Sequence, residues 1–585
     1  MDRLKQHLFL AVLLMIFSSN SWAQKTIASK EKALTITTSE TVFVHSNATT
    51  FVSGETLFYQ LYSLNPENNM PSAISKIGYI ELLDNKKASV FKHKLFLEDG
   101  IGQGDFFVPT SLKTGNYKLI AHTTWMLNKT EATFFEMDIF IINPFQVNEE
   151  KQSETKNQEI ASNNPINNSD STSKENFELV LNKQSFSSRD LVQLTIKSLN
   201  DSLQGGNYSM SVRKLEELPF NKPLSAMDFI KKSSKSNNGI TKKENNLVLP
   251  ELRGEIISGK IVSKNENNSV ENKTVALSVS GKFFAFKTAK TTAFGNFIFS
   301  LDKPYHNSDV TVQVMGISRE DFTVVLDQPK SIDTDLIFSK PILVLNKELK
   351  ASLEERSVAS QIENAYFTKK KDSIAAIQNQ TLFYSPLTKD YILDDFTRFP
   401  TLKETITEVV LEMYYTKSKN KYTIGVRDND PLRELSEQAL VLVDGLLIQD
   451  SNELFEYNME NIHKISIIRG GYYYGSNVFG GIINFSTKNN DFVSKANGDY
   501  ILRPEMNRPL KNKVYYKPDY TNKAKYARIP DYRYQIAWIP KLTLDKNENV
   551  ISFYTSDVSG TFEIILEGFT SQGIPVSLKK NINVK

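Results

Sequence analysis

Along most of this 585-residue chain apolar side chains recur at every second position, and that period is what most limits the folds open to it. Tyr117, Leu119, Ala121, Thr123 and Trp125 share one face, with Lys118, Ile120, His122 and Thr124 on the other. The same alternation runs through Val192, Leu194 and Ile196, through Val275, Leu277 and Val279, and through Phe562, Ile564 and Leu566. Successive side chains of a strand point to opposite faces, so each such segment has one face to bury. A second sheet has to cover that face, which predicts β-sandwiches. Turn residues such as Gly54, Asn65-Pro66 and Gly115-Asn116 fall between the strands. The expected fold class is mainly β, with tandem sandwiches and one small α+β unit.

Breaks in the alternation divide the chain, and its length alone predicts about four domains at roughly 100–200 residues each. Residues 1–23 have a short basic start, an apolar run over 8–17 and Ser21-Trp22-Ala23, the pattern of a secretory signal. That run is about half of what a bilayer span requires. A first sandwich is expected over 24–147, and a polar linker over 148–175 has too little apolar content to fold. A second strand-rich block over 176–232 reads as a sandwich or half of one, followed by a linker over 233–250. A third sandwich is expected over 251–345. A helical connector over 346–394 places Val358, Ile362 and Tyr366 four apart. The α+β unit spans 395–490, with 402–410 a helix or a helix leading into a strand. A basic, Tyr- and Pro-rich arm covers 491–535, and a last β segment covers 536–585.

The side-chain inventory excludes several chemistries. With no cysteine, thiol catalysis, zinc–thiolate sites and iron–sulfur clusters cannot form. The six histidines are too scattered for a close-spaced metal motif. No Ser sits in a Gly-x-Ser-x-Gly elbow, and Gly100-Ile-Gly-Gln-Gly-Asp105 lacks the Lys-Ser/Thr of a phosphate loop. No enzyme activity, metal or cofactor is expected. A net charge of +3 provides no overall pull toward nucleic acid.

Three linked segments in the α+β unit follow in order: Ala439-Leu-Val-Leu-Val-Asp-Gly445, Ile462-His-Lys-Ile-Ser-Ile-Ile-Arg-Gly470, and Tyr474-Gly-Ser-Asn-Val-Phe-Gly-Gly-Ile-Ile-Asn-Phe-Ser-Thr-Lys488. Together they resemble the plug domain of TonB-dependent outer-membrane receptors. The matching positions are Asp444, Gly445, Arg469, Gly470, Gly475, Gly480, Gly481, Asn484 and Lys488. A receptor of that family continues into a barrel of typically 22 strands, at roughly 10 residues per strand. Only 97 residues follow Lys488, so a plug-like unit without its own transport barrel is expected.

Other blocks carry resemblances too. Phe51-Val-Ser-Gly-Glu-Thr-Leu-Phe-Tyr59 with Thr114-Gly-Asn-Tyr-Lys-Leu-Ile120 resembles the MG2-type domain of the α2-macroglobulin family. Ser185-Phe-Ser-Ser-Arg-Asp190 is similar to the opening of a second such domain. The trapping thioester of that family needs a cysteine and does not carry over. Residues 254–301, with Thr291-Thr-Ala-Phe-Gly-Asn-Phe297, resemble a carboxypeptidase regulatory-like domain, a transthyretin-like sandwich without catalytic residues. The series, closed by Asp531-Tyr-Arg533 and Phe553-Tyr-Thr-Ser-Asp557, resembles a multidomain family of exported proteins in Bacteroidota. The resemblance implies Ig-like or macroglobulin-like and transthyretin-like sandwiches beside the plug-like unit. It implies an exported protein at the outer membrane, on its periplasmic or cell-surface face, that acts by interaction. Outer-membrane proteins are the expected partners, with no nucleic acid and no membrane span of its own. The alternative is an accessory of TonB-dependent nutrient uptake, acting with a receptor-like barrel from another chain.

The arm stands apart electrostatically. Residues 503–533 hold nine Lys/Arg against three Asp/Glu, with four Pro and five Tyr. Arg508, Lys511, Lys513, Tyr515, Tyr516, Lys517, Lys523 and Lys525 are the candidate partner-binding residues. Basic residues interleaved with tyrosines suit anionic envelope glycans such as lipopolysaccharide, or an acidic protein surface. The competing reading is an extended arm that packs its tyrosines on the last sandwich.

Overall fold

In the first sandwich, strands Thr41–Ser46, Thr56–Leu64 and Ile101–Phe107 form one sheet. The facing sheet runs Thr50–Val52, Phe135–Ile142, Gly115–His122, Ile77–Leu83 and Ser89–Phe96. Phe43, Tyr59, Leu61, Ile80, Leu119 and Ile139 fill the space between them. At about 1.5–3 kcal/mol for each large side chain removed from water, this core is what holds the sheets together. The structure is a computed structural model describing residues 39–128, 134–146, 177–199, 205–215, 223–233, 248–305, 309–328, 336–338, 347–375, 381–428, 437–522 and 526–585. The signal pattern, the linker over 148–175 and most of that over 233–250 lie outside the described residues.

The strand-rich block after the first linker and the last β segment are one sandwich, not two units. Leu191–Ser198 pairs with Phe177–Leu181 on one side and with Glu548–Tyr554 on the other. Asn207–Lys214 is hydrogen-bonded between Gln535–Leu542 and Gly560–Phe569, with Pro575–Val584 and Ser185–Phe186 beyond. Val192, Leu194, Tyr208 and Met210 share a core with Phe562, Ile564 and Leu566. Everything between residues 215 and 535 is therefore inserted between neighbouring strands of a single sheet.

Within the insertion, the helix Ala226–Ser233 packs on the first sandwich and the third sandwich follows. Glu255–Ser263 pairs with Asn296–Leu301 and Phe322–Leu326, opposite Ala285–Lys290, Thr274–Val279 and Val310–Val314. Its last strand, Ile501–Leu502, comes from the start of the arm. The α+β unit lies between these contributions. Its sheet runs Lys389–Ile392, Ile462–Ile468, Ile482–Thr487, Leu440–Val443 and Leu446–Leu447, and Leu440–Val443 is parallel to Ile482–Thr487. Residues 402–410 resolve as a helix, Leu402–Glu408, started by Thr401, whose hydroxyl accepts the Glu404 amide and donates to its carboxylate. This helix and Asn452–Phe455 cover the sheet face of Val441, Val443, Ile465 and Phe485. The opposite face, with Leu440, Leu442 and Ile482, lies on Ala276, Phe284 and Phe286 of the third sandwich. Burial on both sides is why 439–443 is continuously apolar instead of alternating.

The helix after the third sandwich is Lys347–Ala365. Val358 is 54% exposed, while Leu353, Arg356, Ser357, Ala359 and Ser360 are buried. The helix lies in the joint between the first two sandwiches, where Ala359 packs into the core of the second and Arg356 bonds to Glu55 and the Thr50 carbonyl of the first. No helix among the described residues is long and apolar enough to cross a membrane.

Candidate functional site

The residues singled out in the α+β unit are largely turned inward. Asp444 and Gly445 occupy a two-residue turn with φ of 49° and 82°, the combination that joins paired strands most tightly. The Asp444 carboxylate accepts from the Thr487 amide (2.8 Å), the Thr487 hydroxyl (2.6 Å) and the Phe492 amide (3.3 Å). Its carbonyl accepts from the Gly281 amide of the third sandwich (2.9 Å). A Cβ on Gly445 would sit 2.2 Å from Phe284 Cγ, so only glycine lets this turn seat on the sandwich. Gly475 caps the Tyr472–Tyr474 and Asn477–Phe479 hairpin. Tyr474 there donates to the Phe286 carbonyl (2.5 Å), and Asn477 exchanges bonds with Thr274 and Thr288. Gly470 and Gly481 hold positive φ at strand ends, and Gly480 donates its amide to the Gln438 carbonyl. Arg469 donates to the carbonyls of Arg427 and Asp428. Asn484 is buried beside Ile482, and Lys488 is exposed with its amide bonded to Asn461.

The joint between the first two sandwiches is built around Glu55. Arg356 donates from Nε to Oε1 and from Nη2 to Oε2, both at 2.6 Å. Arg213 of the second sandwich reaches the same carboxylate at 3.2 and 3.3 Å, and the Val52 amide donates at 3.0 Å. Burial pushes this carboxyl up, but the two guanidiniums together outweigh it and hold it at about 2. Tyr62 and His45 also reach Ser209, and Lys541 donates its amide to Gln60.

Two other carboxylates join units without a paired cation. Glu251 accepts from Tyr79, Thr124 and the Ile256 amide, tying the entry of the third sandwich to the first. Glu567 accepts from Ser577 and from the Ala226 amide, where the helix Ala226–Ser233 begins. Burial pushes both up to about 7.

At the far end of the second sandwich the quoted motifs converge. Arg189 forks onto Asp557 (2.6 Å to each oxygen) and lies over the Tyr520 ring. Asp531 receives Arg533 through two bonds (2.6 and 2.7 Å) and the Tyr520 hydroxyl (2.6 Å). Its own amide donates to Asp557. Among the described residues no cluster of three or more His, Cys, Asp or Glu could hold a metal ion.

The arm straps these units together. Pro509–Leu510 adds a parallel edge strand to the first sandwich, and Lys513–Val514 pairs with Ser373–Ile374. Arg508 and Lys94 share the buried Glu255 carboxylate, joining arm, first sandwich and third sandwich. Lys513 pairs with Asp105 (2.8 Å), Tyr515 is buried edge-on against Phe58, and the Tyr516 amide donates to Asp372. Tyr520 lies edge-on to Tyr554 and under Arg189 of the second sandwich, and the Tyr526 carbonyl accepts from Arg189, so the tyrosines divide between two sandwiches. Lys511 and Lys517 stay exposed, and Lys523 and Lys525 lie outside the described residues. Between the arm, the first and third sandwiches and strand Gln535–Leu542 runs an open cleft of about 690 Å³, lined in part by Lys511, Lys513, Tyr515 and Lys517. Arg356, Arg213 and Glu55 escaped sequence reasoning because nothing local marks a charged residue that will be buried.

No family model matches the chain, and no curated protein does. Solved structures similar to it include a Salmonella α2-macroglobulin reacted with methylamine, at 9% identity over 94% of this chain and 40% of that one, TM-score 0.23. Native Escherichia coli α2-macroglobulin gives 9% identity, 94% and 40% coverage and a TM-score of 0.23. The Yersinia pseudotuberculosis adhesin InvE gives 11%, 50% and 59%, with a TM-score of 0.13. The chain thus spans about two fifths of the length of those macroglobulins. At these scores the architecture rests on its own strand pairing.

Proposed function

We propose that the chain is a non-enzymatic, exported contact component of an outer-membrane or cell-surface assembly. The observation that carries this reading is the use of each unit to hold another. The second sandwich closes around the insertion, the arm lends strands to its neighbours, and buried carboxylates join the sandwiches. Such cross-bracing fixes the spacing of exposed surfaces, which suits docking. Because Asp444, Gly445 and Gly475 face the third sandwich, docking rests on surfaces elsewhere and not on a barrel from another chain. Mild crosslinking of intact cells followed by capture of the chain is the test. Enrichment of outer-membrane proteins is expected; recovery of the chain alone would contradict the reading. Protease accessibility on the same cells assigns the face.

A further inference from the structure

We propose that the cleft between the arm and strand Gln535–Leu542 binds an extended acidic segment of a partner protein, an inference that rests on the contact reading above and gives it a partner class. The cleft volume of about 690 Å³ falls within the usual range for binding sites. Phe96, Ile374, Leu510, Val514 and Ile539 give it an apolar lining. Its charged lining residues are five lysines, 303, 511, 513, 517 and 541, against Glu98 alone. Lys513 and Lys541 are matched internally by Asp105 and Glu98. Lys303, Lys511 and Lys517 have no acidic partner among the described residues. Burial holds the Lys517 ammonium below its usual range although the side chain remains accessible, a cost that a bound carboxylate would offset.

Shape and lining chemistry favour a peptide. Gln535–Leu542 is bonded to Asn207–Lys214 on one side and to no other strand among the described residues. In the cleft Pro540 has no amide and the Lys541 amide is given to Gln60, so the lining side chains and not this backbone hold the segment. An extended segment laid in the cleft presents side chains alternately to its two sides. Apolar residues can then meet the lining while carboxylates reach the lysines. An anionic polysaccharide is a poorer match, because it has no apolar side chains to set against Phe96, Ile374, Leu510, Val514 and Ile539, and Trp538 is only 4% exposed and stacked on Phe58.

The test uses the full chain and a fluorescein-labelled octapeptide of alternating Glu and Val, read by anisotropy. Saturable binding is expected, weakened by added salt and by at least about tenfold in the Lys303→Glu/Lys511→Glu/Lys517→Glu variant. Its circular dichroism should be unchanged, since these lysines support no internal pair. The corresponding Lys-Val octapeptide should not bind. Absence of saturable Glu-Val binding, equal binding by the variant, or tighter binding of polygalacturonate with the same lysine dependence would each overturn the proposal. If outer-membrane proteins are still captured on cells, such a failure removes this cleft and leaves the contact reading standing.

Discussion

The joint between the first two sandwiches is held by buried charge, whereas the joint between the third sandwich and the α+β unit is held by rings and backbone. In the first, Glu55 answers two arginines from two different units, and its geometry tolerates little variation. In the second, Phe284, Phe286, Leu440 and Leu442 share an apolar layer, and the directional contacts are those of the Asp444-Gly445 turn and the Tyr474 hairpin. The contrast teaches that a charged joint fails when one partner goes, while an apolar joint fails by degrees as shapes cease to fit.

The largest effect is therefore expected from Glu55→Ala. It leaves two guanidiniums facing each other in a buried site, at about 3–5 kcal/mol measured by urea unfolding. A loss below about 1 kcal/mol would mean that the charged joint carries little. Gly445→Ala should cost about 2 kcal/mol, from the positive φ and the clash with Phe284 together. Adding Phe284→Ala should return part of that cost in a double-mutant cycle, and strict additivity would show that the turn does not seat there.

Proton linkage separates the joints further. Glu251 and Glu567 titrate at about 7 when folded against 4.5 as the ordinary value, so between those values the folded chain binds more protons. Their contribution is full below 4.5 and is lost as the pH rises through 7, with Glu55 acting in the opposite sense at lower pH. Replacing both by Gln should make the variant gain on the parent by on the order of 2 kcal/mol per site between pH 4.5 and 7.5. Taking the difference removes His45 and His122, which burial holds at about 3 and about 4 and whose slopes run the other way. A flat difference would place those carboxyls in water. The smallest effect belongs to Lys511→Ala on the exposed arm, within about 0.5 kcal/mol by thermal melting.

Much of the local structure was legible. The alternating faces at Val192–Ile196 and Phe562–Leu566 are buried as the period requires, and Ile462–Ile468 and Ile482–Thr487 are strands. Period two tells which face a strand buries but not which strand lies beside it, so the pairing of Met210 with Leu566 could not be read. The facing of the helix could not be read for a related reason: Arg356 is buried by its partners, while the apolar Val358 is exposed. The segment 439–445 stands out in the sequence, but its seating against Phe284 depends on a surface far away in sequence.

The central claim, that residues 177–215 and 535–585 close one sandwich around the insertion, is open to a direct measurement. Gln193 and Ser552 are exposed cross-strand partners, and the chain has no cysteine of its own. In a Gln193→Cys/Ser552→Cys variant, mild oxidation should form one intramolecular disulfide. After proteolytic cleavage within the insertion, the two end fragments should then stay linked until reduced. Thiols that remain free in the folded chain, or that join only different molecules, would contradict it.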